Sequence, residues 1–519
     1  MTTALRQAVE TPPRMDQARS WFGSPVALFT AVASANALLF LLVSPPVGDL
    51  WAARARQSAA AHGVGLGYWF SWFSGGSTPG NYSVLTPYLS GLVGAAILGA
   101  LGTAAITPLT AVLVRGSAHP TAATAISALV AGLSLWSGRV PFAAGTSVSI
   151  MALIAVRAQR PAAAGTLAVL TALVSPVSAA FLAMGTGALF ITSPRHRFIT
   201  TTTVAATIVS LVSIEIIFGM PGPQPFSLLK ALIVAAAVAV MLVARPAPYV
   251  RVVIVVAILA CPLLAVLPNG MGSNFQRLVW ICLPIAVVAT GAARVGVVLA
   301  ACAIPVFLAT QTTVSDLWVS AQPMSSQHFY DSLAARLDRI PALSDYRLEV
   351  VPDGTHTAAY ALLGHAMLAR GYETQEDNAH NAILMSPRLD ALSYKVWLDN
   401  NAVGFVAIGR KTLAANPEDT LIRRHRPTYL TQIWSDTHWL LLQVRYPSPV
   451  VPAPVKVIEV AQASMQLDAP RAGSYPVRIR WSTFLKVSAT GPASATIAND
   501  GFGFTKLTVT TPGRFTLHA

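Results

Sequence analysis

Long apolar runs, separated by short polar connections, fill the larger, N-terminal part of the chain. The first run, 24–44, has about the 20 residues that a bilayer-spanning helix needs. A cleaved signal peptide is the competing interpretation, but this run is long and leads directly into further spans. The pattern predicts a polytopic α-helical membrane domain of about 11 spans at 23–312, after a cytoplasmic tail at 1–22. The other predicted spans are 84–114, 120–137, 140–156, 161–175, 177–192, 198–218, 226–244, 249–267, 278–293 and 295–311.

The remainder of the chain has the pattern of a water-soluble protein. Helical and strand patterns mix in 313–450, which predicts an α/β domain. From residue 455 short alternating runs are separated by Gly, Pro, Asn and Asp, which predicts a small β-sandwich at 451–519. The predicted elements of the α/β part are strands at 346–351, 403–408 and 439–446, with helices at 389–400 and at 355–370, the latter ending at Gly371.

The charge is concentrated in the membrane part and predicts its orientation. Residues 1–310 hold 16 Lys and Arg against 4 Asp and Glu, whereas residues 311–519 hold 19 against 17. The basic residues stand singly between apolar runs, which excludes a nucleic-acid-binding face. With a cytoplasmic N-terminus, the opposite side carries few basic residues, so the positive-inside rule is satisfied. This places the first loop, 45–84, and the C-terminal part outside the plasma membrane. The outer basic residues are Arg54, Arg56, Arg139, Arg277 and Lys230.

Three cysteines, Cys261, Cys282 and Cys302, lie in apolar runs without CxxC spacing. We interpret them as small core residues, and their spacing indicates neither a disulfide framework nor a zinc site.

Carboxylates are scarce in the membrane part: between Gly23 and Val314 the chain has only Asp49 and Glu215. Asp49 follows the first span by about five residues, at the boundary between membrane and water. Such an acid can act as a general base toward an acceptor hydroxyl. The alternative is a helix N-cap, because a short amphipathic helix follows.

Glu215 lies within a predicted span, where a carboxylate is costly. We expect a structural pair with an outer arginine, and a proton site of a transporter is the alternative.

Candidate binding residues surround these acids. Arginine binds phosphate through two parallel hydrogen bonds, so Arg54, Arg56, Arg139 and Arg277 are candidates for an anionic ligand. Contact with lipid headgroups is the alternative for each. The other candidates for substrate binding are Asn274 and the first-loop aromatics, which could stack on a sugar or form an interfacial aromatic belt: Tyr68, Trp69, Trp72 and Tyr82. The absence of a P-loop, a GxGxxG motif and a nucleophile elbow weighs against nucleotide-driven enzymes and serine hydrolases.

The layout resembles the GT-C class of membrane glycosyltransferases, in which a long first extracytoplasmic loop carries the catalytic acid just after the first span. Asp49 occupies the matching position. A group of actinobacterial membrane proteins, including those of mycobacteria, has similar segments. These are SWFSGGSTPGNYSVLTPYL, SGRVPFAAG, LVSPVSAAFLA, GSNFQRL, MLARGYETQEDNAHNAIL and VWLDNNAVGFVAIG.

The resemblance implies an inverting transferase that moves a sugar, arabinose or mannose, from a polyprenyl phosphate to a cell-envelope glycan or glycolipid, as in arabinan synthesis during cell wall biogenesis. Asp49 would be the base, and outer arginines would hold the phosphate of the lipid donor. A second acid in the first loop, which some members have, is absent, so a divalent metal cofactor is left open. Two other functions compete: a transporter or flippase of a lipid-linked glycan, and a non-catalytic scaffold that binds the envelope.

Overall fold

The computed structural model describes residues 25–71, 78–220, 222–341, 343–371, 373–414 and 416–519. The α-helices, in chain order, are α1 Pro25–Val43, α2 Gly48–Ala61, α3 Thr86–Val93, α4 Ala95–Leu113, α5 Pro120–Trp136, α6 Val140–Arg157, α7 Pro161–Val174, α8 Pro176–Thr192, α9 Arg197–Phe218, α10 Leu228–Val240, α11 Pro248–Val266, α12 Leu283–Thr290, α13 Val295–Ser320, α14 Asp331–Leu337, α15 Ala358–Ala361, α16 Thr374–His380, α17 Ala391–Asn400 and α18 Pro417–Arg424. The strands are β1 Arg347–Val350, β2 Val403–Gly409, β3 Leu430–Ser435, β4 Trp439–Val444, β5 Lys456–Val460, β6 Ser464–Ala469, β7 Gly473–Arg480, β8 Lys486–Ala489, β9 Ser494–Asn499, β10 Phe504–Thr511 and β11 Gly513–His518.

The predicted apolar runs form helices. Within the described residues, seven helical segments are long and apolar enough to cross a membrane, and shorter apolar helices occupy the other predicted runs. One predicted span is wrong: the run 84–114 is divided between α3 and α4. Gly94 separates the two helices with a φ of +92°, which residues with a Cβ atom rarely adopt.

The described chain divides into two compact units, and the boundary differs from the predicted domains. The first unit comprises 25–45, 96–213 and 225–315, and the second comprises 46–95, 214–224 and 316–519. The first loop therefore packs with the C-terminal part. The predicted α/β and β-sandwich parts also lie together in this second unit.

Small residues allow the helices of the first unit to approach closely. A Cβ atom on Gly102 would lie 2.8 Å from the backbone nitrogen of Ala144, and one on Gly145 would lie 2.5 Å from the Cβ atom of Ser175. Such contacts are typical of helix packing in membranes. Trp136 adds a polar link to α1 by donating an indole hydrogen bond to the Asn36 Oδ1 atom at 2.9 Å.

The second unit contains one mixed sheet and a β-sandwich. The mixed sheet has the order β1-β2-β4-β3, with β1 parallel to β2 and the other pairs antiparallel. The sandwich consists of the sheets β5-β6-β11-β8 and β7-β10-β9, as the alternating pattern predicts. The strands predicted at 346–351, 403–408 and 439–446 and the helix predicted at 389–400 are confirmed. Their observed bounds are Arg347–Val350, Val403–Gly409, Trp439–Val444 and Ala391–Asn400.

The predicted helix at 355–370 is wrong, because only Ala358–Ala361 is α-helical. The Asp353 carboxylate accepts hydrogen bonds from the Thr355 backbone N–H and hydroxyl, which competes with helix formation. At the other end of the segment, Leu368 forms a parallel bridge to Leu348 of β1. The segment thus belongs to the edge of the mixed sheet.

Candidate active site

Asp49 lies in the first turn of α2, where its negative charge is favoured by the helix dipole. The N-cap residue is Val47, and no side-chain cap bond is made. The alternative interpretation of Asp49 as the N-cap is therefore wrong. The residue is half-buried.

A tightly bonded loop follows β1, and it holds His356. The Asp353 carboxylate accepts from Thr355 and from the Tyr330 hydroxyl at 3.1 Å. The Thr357 hydroxyl donates to the Ser325 carbonyl oxygen at 3.3 Å. Between these anchors His356 has a φ of +61°, a conformation that costs a non-glycine residue about 1–3 kcal/mol. Strain of this kind persists where the surrounding contacts over-determine the backbone, as they do here.

The same contacts join the loop to α2. The Trp51 indole donates to the Ser325 carbonyl oxygen at 3.0 Å, so this oxygen accepts from both Trp51 and Thr357. The Trp51 ring also stacks on Tyr360 of α15, with ring centroids 4.9 Å apart. Asp49 is thus two residues before Trp51, and His356 is one residue before Thr357, and both Trp51 and Thr357 donate to the Ser325 carbonyl oxygen.

Charged groups from three other segments act on the His356 ring. His356 keeps part of its surface exposed to solvent, while Thr355 and Thr357 on either side are buried. Burial by the surrounding protein lowers the pKa of His356. The negative charges of three carboxylates oppose this effect, those of Asp353, Asp377 and Asp49. Arg370 adds to the lowering. The imidazole therefore favours its neutral form at neutral pH.

A buried cluster around Arg370 fixes Asp377 and α16 to the sheet. The Glu349 Oε1 atom accepts from Arg370 Nε at 2.9 Å and from Nη2 at 2.6 Å, and Nη2 also donates to Glu418 Oε2 at 2.7 Å. Asp377 lies 3.7 Å from Arg370 Nη1. Burial raises the pKa of Glu349 and Glu418, and the Arg370 charge opposes it. The Tyr394 hydroxyl completes the cluster by donating to Glu418 Oε1.

The first-loop arginines have partners within the second unit. Arg56 is buried, donates to Glu373 Oε2 at 2.5 Å and covers the ring of Tyr82 at 3.8 Å. Arg54 is half-buried and lies over the ring of Trp51 at 4.7 Å. The predicted phosphate-binding role of both residues stays a prediction. Arg56 already has a buried carboxylate partner, Glu373.

Arg139 and Arg277 converge within the first unit. Arg139 precedes α6 and lies 5.9 Å from the centroid of the Trp280 ring, whereas Arg277 lies 5.6 Å from that of Phe142. The arrangement is reciprocal: Trp280, under Arg139, is three residues after Arg277, and Phe142, under Arg277, is three residues after Arg139. A π-helical turn, Leu278–Cys282, follows Arg277, and such turns occur often at functional sites. The described part of this unit has neither Asp nor Glu in its sequence.

The predicted sugar-stacking role is contradicted for two aromatics of the first loop. Trp69 is fully buried in the core with Tyr330 and Trp439. Tyr68 packs in the sandwich core, and its hydroxyl donates to the Arg480 carbonyl oxygen at 2.7 Å. Both rings fill the interior because the loop packs against the C-terminal part.

The other aromatic candidates have different surroundings. Tyr82 is half-buried beneath Arg56. Trp72 lies outside the described residues.

Two further candidates lie elsewhere. Asn274 is half-buried in the 3-10 turn Gly272–Phe275, three residues before Arg277. Glu215 of α9 belongs to the second unit and is exposed. Within its own unit, no described residue forms an ion pair with its carboxylate, and the pair with an outer arginine stays a prediction. Its role as a proton site stays a prediction.

Sequence reasoning missed His356, Asp353 and Asp377. The only signal was the dipeptide Asp353-Gly354 after a predicted strand, which is typical of a turn. Within the described chain, no group of three or more His, Cys, Asp or Glu side chains could hold a metal ion.

Comparison with known proteins gives a structural likeness and no family. No protein-family model and no curated protein matches the chain. The cryo-EM structure of the arabinofuranosyltransferase AftD from mycobacteria is similar, with a TM-score of 0.43 and 14% sequence identity. The match covers 81% of this chain and 40% of that chain, so this protein spans less than half of the length of AftD.

Proposed function

We propose that the protein is a membrane glycosyltransferase that moves a sugar from a polyprenyl phosphate to a glycan or glycolipid of the cell envelope. Arabinose and mannose are the favoured sugars because donors carrying them are the ones implied by the GT-C resemblance. The observation that carries the proposal is the placement of Asp49. It lies half-buried in the first turn of α2, within the field of an exposed, strained histidine.

The chemistry assigned to Asp49 is general-base catalysis. Its carboxylate takes the proton of an acceptor hydroxyl, and the hydroxyl oxygen then attacks the anomeric carbon of the donor. The bond from that carbon to the phosphate oxygen breaks, and its electron pair leaves with the polyprenyl phosphate. A single displacement inverts the anomeric centre.

We assign the lipid phosphate to Arg139 and Arg277. Arg139 and Arg277, each of which covers an aromatic ring next to the other arginine's segment, suit a phosphate because each guanidinium can donate two parallel hydrogen bonds. Their unit is basic in sequence, which favours an anionic ligand. Arg56 is left out of this assignment because Glu373 occupies its guanidinium.

The experiment is transfer of a radiolabelled sugar from a polyprenyl-phosphate donor to an envelope glycan by the purified protein. Asn is nearly isosteric with Asp but cannot accept the proton. We expect Asp49→Asn to bind the donor normally and to transfer sugar at least about 100-fold more slowly. Arg139→Gln and Arg277→Gln should instead weaken donor binding.

The matched control is Asp331→Asn, since Asp331 also lies in the first turn of a helix of the second unit but is exposed. It should transfer sugar at the wild-type rate. Unchanged transfer by Asp49→Asn, or no transfer by the wild-type protein with any polyprenyl-phosphate sugar, would refute the proposal.

A further inference from the structure

We propose that His356 is a positioning residue that acts through Asp49 and receives the proton that Asp49 removes from the acceptor. The inference rests on the proposed function, in which Asp49 is the base. It adds a second residue, 307 positions further along the sequence, to the proton-transfer step.

The first argument is that α2 and the His356 loop are held together by direct contacts. Trp51 and Thr357 donate to the same carbonyl oxygen, that of Ser325. The Trp51 ring stacks on Tyr360 with an interplanar angle of 22°. These contacts connect the turn that carries Asp49 to the loop that carries His356, so the two segments are packed together.

The second argument is the conformation of the loop. Thr355 is buried, and its hydroxyl bonds to Asp353 at 2.7 Å and to the Met324 carbonyl oxygen at 3.3 Å. Thr357 is buried on the other side. Between them His356 has a left-handed backbone and keeps part of its surface exposed to solvent. The loop therefore presents a titratable ring in a position that an unconstrained chain avoids.

The third argument is the set of charges that face this ring. Asp353 belongs to the same loop, Asp49 to α2 and Asp377 to α16, and Arg370 is the cation among them. Burial favours the neutral imidazole, in which one ring nitrogen is unprotonated and able to accept a proton. The neighbouring carboxylates stabilise the imidazolium once it forms, so that the ring can both accept and release a proton.

The step balances as follows. The proton of the acceptor hydroxyl passes to a carboxylate oxygen of Asp49, then to an imidazole nitrogen of His356, and finally to solvent at the exposed ring. Asp49 is thereby ionised again before the next acceptor binds. No oxidant, reductant or metal enters the step.

The first test uses His356→Asn, because asparagine tolerates a positive φ but does not titrate near neutral pH. Its rate of transfer at pH 7 should fall about 10-fold, less than the 10²–10⁴-fold effect of losing a direct base. In the wild-type protein, transfer should decline as the pH falls through the pKa of His356, which lies below the ordinary 6.5. His356→Asn should lack this decline.

The second test uses the Asp49→Asn background, in which residue 49 takes no proton from the acceptor and so passes none to His356. The double variant should transfer sugar within about twofold of Asp49→Asn alone, because residues that act as one unit are not additive. His356→Gly, which suits the same backbone, should regain transfer with added imidazole, but only when Asp49 is present. Independent, multiplicative losses, or no rescue, would overturn the relay.

A third measurement needs no turnover. NMR titration of the histidines, with the His356 signal assigned by its loss in His356→Asn, should show a lower midpoint for His356 in Asp49→Asn, since a carboxylate charge is removed. Asp331→Asn should leave the midpoint unchanged. A midpoint that does not move in Asp49→Asn contradicts the pairing of the two residues. Absence of transfer by wild-type protein would end the glycosyltransferase proposal and the relay together, whereas transfer with additive losses would end the relay alone.

Discussion

The buried ion pair between Arg56 and Glu373 leads to the prediction that breaking it raises the stability of the protein at pH 8. Both side chains are almost inaccessible, with exposed fractions of 5% and 2%, and their atoms are 2.5 Å apart. Burial raises the pKa of Glu373 from 4.5 to about 7, the Arg56 charge lowers it, and Glu376 raises it. The desolvation of the Glu373 carboxylate therefore outweighs the attraction of its partner.

The sign of the pH dependence follows from proton binding. Below pH 4.5 Glu373 is protonated in both the folded and the unfolded chain, and its contribution to stability is fully present. As the pH rises the unfolded chain releases the proton first, so stability is lost until the folded carboxyl also ionises near pH 7. A pKa difference between 4.5 and about 7 corresponds to about 3 kcal/mol, at about 1.4 kcal/mol per unit.

Glu373→Gln removes this titration and keeps a hydrogen-bond acceptor for Arg56. At pH 5 the wild-type carboxyl is neutral, so the two proteins should differ by less than about 1 kcal/mol. At pH 8 the variant should be more stable than the wild type by about 2–3 kcal/mol, although it breaks an ion pair. The opposite expectation is that breaking a buried pair costs about 3–5 kcal/mol.

The assay is thermal melting of the purified protein in detergent at pH 5 and pH 8. For a unit of this size about 2–3 kcal/mol corresponds to roughly 5 °C, so the variant should melt about that much higher at pH 8 and equally at pH 5. The control is Glu459→Gln at an exposed site of β5, which should change neither melting curve. A Glu373→Gln protein that melts below wild type at pH 8 would show that the pair is net stabilising and that the reasoning is wrong.

Three further predictions concern stability and topology. Arg370→Met leaves the carboxylates of its cluster buried without their cation and should destabilise the protein by about 3–5 kcal/mol; a melting temperature equal to that of wild type would contradict this. Trp69→Ala should lower stability by about 3–5 kcal/mol with donor binding unchanged, whereas lost binding without lost stability would restore its substrate role. In a cysteine-free background, a cysteine at Ser474 should label from outside intact cells and one at Ser117 should not; the reverse pattern would overturn the predicted orientation.

Much of the secondary structure could be predicted from the sequence because it depends on neighbouring residues. Apolar runs of bilayer length became helices, and alternating runs became the strands of the sandwich. The misses have local causes as well. Gly94, with its positive φ, divides the predicted span 84–114 into two helices. The Asp353 side chain accepts a hydrogen bond from the Thr355 backbone N–H at the start of the segment where a helix was expected.

The first loop shows where residue type alone fails. Tyr68 and Trp69 have the composition of a sugar-stacking surface, yet they fill two cores, because the loop folds onto the C-terminal part. Arg56 resembles a phosphate ligand but pairs with Glu373, 317 positions away. Chemical type indicates what a side chain can bind, and packing decides which partner it receives.

The sequence by itself determined that the membrane part has almost no carboxylates, which leaves Asp49 and Glu215, and the position of Asp49 just after the first span makes it the candidate base. Only the tertiary structure brought the charges of Asp49 and Asp377 close to His356. It also placed Arg139 over the Trp280 ring and Arg277 over the Phe142 ring. The physical reason is that hydropathy and periodicity are properties of neighbours in the chain. Contacts between distant positions depend on how the loops and helices pack, and a single sequence carries no direct record of that packing.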